Sequence, residues 1–186
     1  MNISPFLDKK LARRFKTYDF DGNGYIEQAD FEQAVTALCD EFGHGSDSPT
    51  GQRLYDSAIQ LWQHLVTAAD ANADGHISEA EYKQAFANGV LDTPETFERE
   101  YIPYSEAIMA VIDVNGDGKI SIEEEVRYKR VMMHLAEVDV RAAFHSIDTD
   151  GDGFITLAEK MESIRQFYLN NDPQANGVQL LGSLDA

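Results

Sequence analysis

Four acidic segments of twelve residues constrain this chain more than any other feature of its sequence. They read DFDGNGYIEQAD (19–30), DANADGHISEAE (70–81), DVNGDGKISIEE (113–124) and DTDGDGFITLAE (148–159), and they align without gaps. Each begins with aspartate, has a short polar side chain third and fifth, glycine sixth, isoleucine eighth and a carboxylate twelfth. Such a repeat predicts that one structural unit recurs along the chain.

Apolar residues recur every three or four positions on both sides of these segments. Leu11, Phe15 and Tyr18 do so before the first segment, and Phe31 and Val35 do so after it. This period is typical of amphipathic helices whose apolar face contacts a core. The sequence therefore predicts four helix–loop–helix units in an all-α fold.

The loop composition matches the oxygen chemistry of calcium. Calcium takes roughly six to eight oxygen ligands, and a twelve-residue loop supplies them from positions 1, 3, 5, 7, 9 and 12, with glycine at 6 to turn the chain. We assign as candidate ligands Asp19, Asp21, Asn23, Tyr25, Glu27 and Asp30; Asp70, Asn72, Asp74, His76 and Glu81; Asp113, Asn115, Asp117, Lys119 and Glu124; and Asp148, Asp150, Asp152, Phe154 and Glu159. The position-7 residue contributes its backbone carbonyl, so the His76 imidazole is predicted to be a bystander.

The eighth loop position predicts how the units pair. It is isoleucine in all four loops, and paired loops place this residue in a short antiparallel bridge with its side chain in the core. We expect two pairs, over residues 1–90 and 91–170, followed by a tail over 171–186. The bridging residues are Ile26, Ile77, Ile120 and Ile155.

Glycine and proline mark the connections between helices. Gly43–Gly51 reads as a flexible connector, and Asn88–Thr93 divides the two halves, with a helix expected to start at Pro94. Pro103 lacks a backbone N–H, so it is expected to start or kink a helix. The sequence allows two interpretations of the tail, a frayed terminus or a segment folded onto an apolar groove. In the second, the contacts would come from Val178, Leu180, Leu181 and Leu184.

The first loop departs from the pattern at its last position. The other three satisfy D-x-[DN]-x-[DN]-G-x₅-E, whereas the first ends in Asp30. Aspartate is one methylene shorter than glutamate, so it binds through one oxygen or draws the following helix inward. We expect three to four calcium ions, with magnesium as an alternative ion in the first loop.

Composition restricts the partners. There are 15 Lys and Arg against 33 Asp and Glu, which gives a formal charge of -18. That charge opposes binding to nucleic acids and anionic membranes and favours cations. Cys39 is the single cysteine and follows an apolar helical pattern, so we expect it to be buried. No run approaches the ~20 apolar residues of a membrane span or resembles a signal peptide, so we expect a cytoplasmic protein. We also expect it to be a monomer.

The chain resembles the EF-hand superfamily, and more closely the sarcoplasmic calcium-binding proteins and calerythrin. The resemblance is carried by LARRFKTYDFDGNGYIEQADF (11–31), by the uneven loop spacing and by DPQANGVQLLG (172–182). It implies a compact protein of two EF-hand pairs that acts as a calcium buffer or transporter. Members of that group often carry a degenerate hand, whereas all four loops are complete here.

Three classes of function are considered from the sequence. The first is a calcium buffer or signal modulator, which we favour, and the alternative is a sensor that exposes an apolar groove to a target protein. Sensors use methionine-rich grooves, and the adjacent Met132 and Met133 give a weak signal for one. The third is an enzyme or photoprotein, but the five histidines form no recognisable catalytic constellation with Cys39 or a serine.

Overall fold

The computed structural model describes residues 3–45, 47–89, 93, 97–169 and 180–181. Eight α-helices lie in this part of the chain: α1 (Pro5–Tyr18), α2 (Gln28–Phe42), α3 (Pro49–Ala69), α4 (Glu79–Ala87), α5 (Ile102–Ile112), α6 (Ile122–Met133), α7 (Glu137–Ile147) and α8 (Leu157–Leu169). Each predicted loop joins two of them in chain order. The predicted all-α fold of four helix–loop–helix units is confirmed.

Two short antiparallel ladders join the loops in pairs. Strand β1 (Tyr25–Ile26) pairs with β2 (Ile77–Ser78), and β3 (Ile120–Ser121) pairs with β4 (Phe154–Ile155). The four bridging isoleucines are fully buried. The eighth loop position therefore couples loops one and two, and loops three and four, as the sequence predicted.

A serine followed by a proline begins each of the two helices that lead into the loops of the N-terminal half, α1 and α3. Ser4 Oγ accepts a hydrogen bond from Leu7 N at 3.1 Å, and Ser48 Oγ accepts one from Gly51 N at 3.1 Å. Proline follows each serine, at a position where its missing N–H has no helical partner to lose. Because Ser48 caps α3, the predicted connector Gly43–Gly51 is too long, and the connection spans only 43–48.

The apolar faces of the helices meet in one core that joins both halves. Leu38 and Trp62 from the first half belong to the same cluster as Ile108 and Phe144 from the second. Cys39 is buried in this cluster, as expected. The two pairs thus share a hydrophobic interior.

Polar contacts also cross between the halves. Arg127 Nε on α6 donates to Glu41 Oε1 on α2 at 3.0 Å, and Arg130 contacts the same carboxylate. His44 Nε2 lies 3.1 Å from the carbonyl oxygen of Val111. These contacts set how α2 sits against the C-terminal pair.

Part of the tail folds back onto the body. Leu180 and Leu181 are buried; Arg13 Nε donates to the Leu181 carbonyl at 2.8 Å, and Lys129 Nζ donates to the Leu180 carbonyl at 2.9 Å. This favours the packed reading of the tail, while Val178 and Leu184 lie outside the described residues.

The connection into the third hand is described in part. A π-helical turn (Phe97–Tyr101) leads into α5, whose first turn contains Pro103, so a helix starts there as expected. Pro94 and the domain boundaries predicted at 90/91 and 170/171 lie outside the described residues. None of the described helices is long and apolar enough to cross a membrane.

Candidate metal centres

Every loop begins where its first helix ends, at an aspartate whose carboxylate turns back into the loop. That carboxylate accepts a hydrogen bond from the backbone N–H of the sixth-position glycine, which has positive φ in each loop. Positive φ is the conformation that glycine adopts without steric cost, and it lets the chain reverse tightly. The N···O distances are 3.0 Å for Gly24–Asp19, 3.0 Å for Gly75–Asp70, 2.8 Å for Gly118–Asp113 and 3.0 Å for Gly153–Asp148.

A second set of hydrogen bonds orients the middle of each loop. The backbone N–H at position 7 donates to the side-chain oxygen at position 5, at 2.9 Å in all four loops. The N–H at position 5 donates in turn to the side chain at position 3. The pairs at positions 7 and 5 are Tyr25–Asn23, His76–Asp74, Lys119–Asp117 and Phe154–Asp152. The second oxygens of Asp74 and Asp117 accept from the side-chain amides of Asn72 and Asn115, so positions 3 and 5 lie within hydrogen-bond distance of each other.

The twelfth-position glutamate ties the exit helix to the rest of the loop. Glu124 Oε1 accepts from Val114 N at 2.9 Å and its Oε2 from Ser121 N at 2.8 Å. Glu159 makes the same two contacts in loop four. Glu81 accepts from the backbone and the hydroxyl of Ser78 in loop two. The same residues form capping boxes at α4 and α6, so helix initiation and loop closure use one side chain.

Asp30 makes the equivalent contacts with a shorter side chain. Its Oδ1 accepts from Phe20 N at 2.9 Å, its Oδ2 accepts from Glu27 N at 2.7 Å, and the residue is 1% exposed. Both carboxylate oxygens of Asp30 therefore contact the loop backbone, as those of Glu124 do in loop three.

The carboxylates differ in their electrostatic environment. Burial opposes ionisation of Glu159, but hydrogen bonds from Thr156 and Thr149 outweigh it and lower its pKa to about 2. The Lys119 ammonium is the main cause of a lowered pKa at Asp152. Burial raises the pKa of Asp30 despite its three backbone hydrogen bonds. A neighbouring cation would therefore favour the charged form of the Asp30 carboxylate.

The first and fourth loops gather three carboxylates each. Asp19, Asp21 and Asp30 have oxygens within 4.8 Å of one another, and so do the three aspartates 148, 150 and 152. Asp19 Oδ1 is buried and has no hydrogen-bond partner in the described part of the chain. Anions this close repel, and an orphaned buried oxygen is costly, so a divalent cation fits this donor set. The all-oxygen chemistry favours calcium or magnesium over zinc.

The structure adds contacts between paired loops that reading each loop alone did not predict. His76, expected to contribute only its carbonyl, contacts Glu27 Oε1 through Nδ1. Lys119 Nζ lies 2.5 Å from Asp152 Oδ2. The β1–β2 register could have indicated the first contact, because Ile26 pairs with Ile77 and the next positions face each other. Within loop four, a further contact was not predicted: Thr149 Oγ1 donates to Glu159 Oε1 at 3.1 Å.

Comparison with known proteins agrees with this geometry. A family model described as an EF-hand domain pair matches residues 8–87 and 105–162. Calerythrin of Saccharopolyspora erythraea is 28% identical, with 93% of this chain and 96% of calerythrin covered. The sarcoplasmic calcium-binding protein of Scylla paramamosain is 31% identical, with 90% of each chain covered.

A solved structure is similar as well. It is that of a Streptomyces coelicolor calcium-binding protein described in connection with prokaryotic calcium-mediated regulation. It superposes with a TM-score of 0.79 at 33% identity and covers 87% of this chain and 97% of its own. The chain is therefore an EF-hand calcium-binding protein of the calerythrin and sarcoplasmic calcium-binding protein group.

Proposed function

We propose that all four loops bind divalent cations through the residues assigned from the sequence. Three to four calcium ions bind per chain, and magnesium occupies the first loop when calcium is low. The proposal is supported by the hydrogen-bond pattern that the four loops share and by the carboxylates that loops one and four bring within 4.8 Å of one another.

The protein then acts as a calcium buffer or signal modulator, working as a cytoplasmic monomer. One observation supports this role: the methionines that would line a target-binding groove lie in or against the core instead. Met109, Met132 and Met161 are buried, and Met133 is partly buried against the core. A sensor in its calcium form would instead present such side chains on an open groove. The charge of -18 supports our expectation of no binding to nucleic acid or anionic membranes.

A calcium sensor is the second candidate. It is favoured by the likeness to the Streptomyces coelicolor protein described in connection with calcium-mediated regulation. In that role, calcium would release part of the shared core to bind a protein target.

A hydrophobic-dye titration separates the two roles. For a buffer, dye fluorescence is highest in chelator and falls as calcium fills the loops, because the core tightens. Magnesium at matched ionic strength serves as the control for screening. A rise in dye binding on adding calcium, absent with magnesium, would contradict the buffer and support the sensor.

A further inference from the structure

A cavity lies in the C-terminal half, closed by α1 and by Leu180 and Leu181 from the tail. It has a volume of about 50 Å³, which gives room for roughly three or four water-sized groups. Its walls are apolar and aromatic in part, with Ile108 and Ile164 among them. It is separate from the four metal loops.

The charged side chains that line the cavity are unbalanced. Among the described lining residues, Arg14, Lys129 and Lys160 are cationic and only Glu125 is acidic. Arg14 donates to the hydroxyls of Tyr18 and Tyr168, which are neutral groups. This leaves a formal excess of two positive charges around a small space, inside a protein whose total charge is strongly negative.

Glu125 forms two buried ion pairs, one with Lys129 and one with Lys160, and only Lys129 also makes a hydrogen bond to a described residue. Lys129 Nζ lies 3.2 Å from Glu125 Oε1 and donates to the Leu180 carbonyl. Lys160 Nζ lies 3.7 Å from Glu125 Oε2, and both of these atoms are buried without a hydrogen-bond partner among the described residues. Lys160 is 5% exposed and Glu125 is 1% exposed. Lys160 Nζ also lies 4.2 Å from the centroid of the Tyr128 ring, which offers a cation–π contact but no oxygen acceptor. Buried charges left without hydrogen bonds are costly, so an oxygen acceptor would complete this site.

The chemistry of the missing component follows from these observations. Excess positive charge calls for an anion, and the spare N–H groups of Lys160 call for an oxygen acceptor. The volume limits the ligand to a few heavy atoms, and the apolar wall suits a methyl group. We propose that this cavity binds a small carboxylate anion of acetate size, held by Lys160 with Arg14 and Lys129 adding electrostatic attraction.

Acetate itself is the probe for the test, with the full chain saturated with calcium. Sodium acetate is titrated by calorimetry and by ¹³C-acetate NMR at constant ionic strength, with sodium chloride as the balancing salt. The expected result is saturable binding of one acetate per chain and a rise in Tm that chloride does not produce.

Two variants with opposite expected effects make the test specific. Lys160→Met should weaken acetate binding at least about tenfold, the loss expected for a charge-assisted hydrogen bond. The control is Lys16→Met, which removes a lysine from the exposed surface and should leave acetate binding unchanged. Glu125→Gln removes the only acid among the described residues of the cavity wall, so it should tighten acetate binding and enlarge the acetate-induced rise in Tm. A role confined to structure would not strengthen binding in Glu125→Gln.

Three results would overturn the proposal. They are acetate effects no larger than those of chloride, acetate binding in Lys160→Met equal to that of the unmodified chain, or weaker acetate binding in Glu125→Gln. If Lys160→Met fails to fold, the Glu125→Gln comparison still decides. A Glu125→Gln chain that folds only with acetate present would support the proposal.

Discussion

The fourth position of the second loop holds a residue under backbone strain. Ala73 has φ of 60°, whereas the other three loops have glycine there, with φ between 71° and 72°. A left-handed conformation costs a residue with a Cβ roughly 1–2 kcal/mol relative to glycine. We therefore predict that Ala73→Gly raises the free energy of unfolding by about 1 kcal/mol in saturating calcium.

The third loop offers the reverse change as a matched control. A Cβ added at Gly116 meets nothing within 4 Å, so Gly116→Ala tests backbone conformation alone. Denaturant unfolding should show a loss of about 1 kcal/mol for this variant. A stability for Ala73→Gly equal to or below that of the unmodified chain would show that Ala73 is not strained.

The short carboxylate of Asp30 is expected to lower ion selectivity in the first loop. Glutamate at this position brings calcium to about seven oxygens, whereas one-oxygen binding gives about six, the number that magnesium requires. Asp30→Glu should therefore raise the calcium affinity of this loop and reduce its sensitivity to millimolar magnesium. The reverse change in loop three, Glu124→Asp, should increase sensitivity to magnesium. Unchanged affinity and selectivity in Asp30→Glu would contradict this prediction and would mean that α2 moves inward far enough for Asp30 to bind the ion through both oxygens.

At the scale of elements, an ion pair between Lys119 and Asp152 links loops three and four. Lys119 is the proposed carbonyl ligand of loop three, and its ammonium lies against Asp152 of loop four. A positive charge beside a calcium ligand opposes the incoming ion. Lys119→Gln should raise calcium affinity at loop four roughly threefold to tenfold at low ionic strength, and salt should shrink the gain.

The control is Lys16→Gln, which removes the same charge from an exposed site on α1. Calcium titrations of both variants at low and high salt give the comparison. Equal affinities for the two variants would show that the Lys119–Asp152 pair does not influence the site.

Local chemistry explains which elements could be predicted from sequence. The loops, the flanking helices and the bridging isoleucines were predictable because each is marked by a short pattern that recurs four times: fixed positions within twelve residues and an apolar period of three to four. The connector after α2 was predicted too long, because glycine at 51 suggested a loop while Ser48 and Pro49 had already started a helix. Contacts such as Arg13 with the Leu181 carbonyl depend on packing between distant segments, and no local pattern encodes them.

At the scale of the whole molecule, calcium and folding are expected to be coupled. The chain has a formal charge of -18, and its loops bring carboxylates within a few ångströms of each other. Each site filled at a hundredfold excess over its Kd adds about 2.7 kcal/mol of stability. Thermal melts in chelator should therefore give a much lower Tm than melts in millimolar calcium.

Potassium chloride added to the chelated protein provides the control for this comparison. It should recover part of the lost Tm by screening repulsion, but less than calcium recovers. Superimposable melts in chelator and in calcium would refute the coupling.

The central claim is that the four loops are working calcium sites, and calorimetric stoichiometry tests it most directly. Starting from chelator-treated protein, titration with calcium should saturate at three to four ions per chain. Glu159→Gln, which replaces a two-oxygen carboxylate by a neutral amide, should lower that number by one while the calcium-loaded protein stays folded. Saturation at two ions or fewer, or full stoichiometry and affinity in Glu159→Gln, would contradict the account.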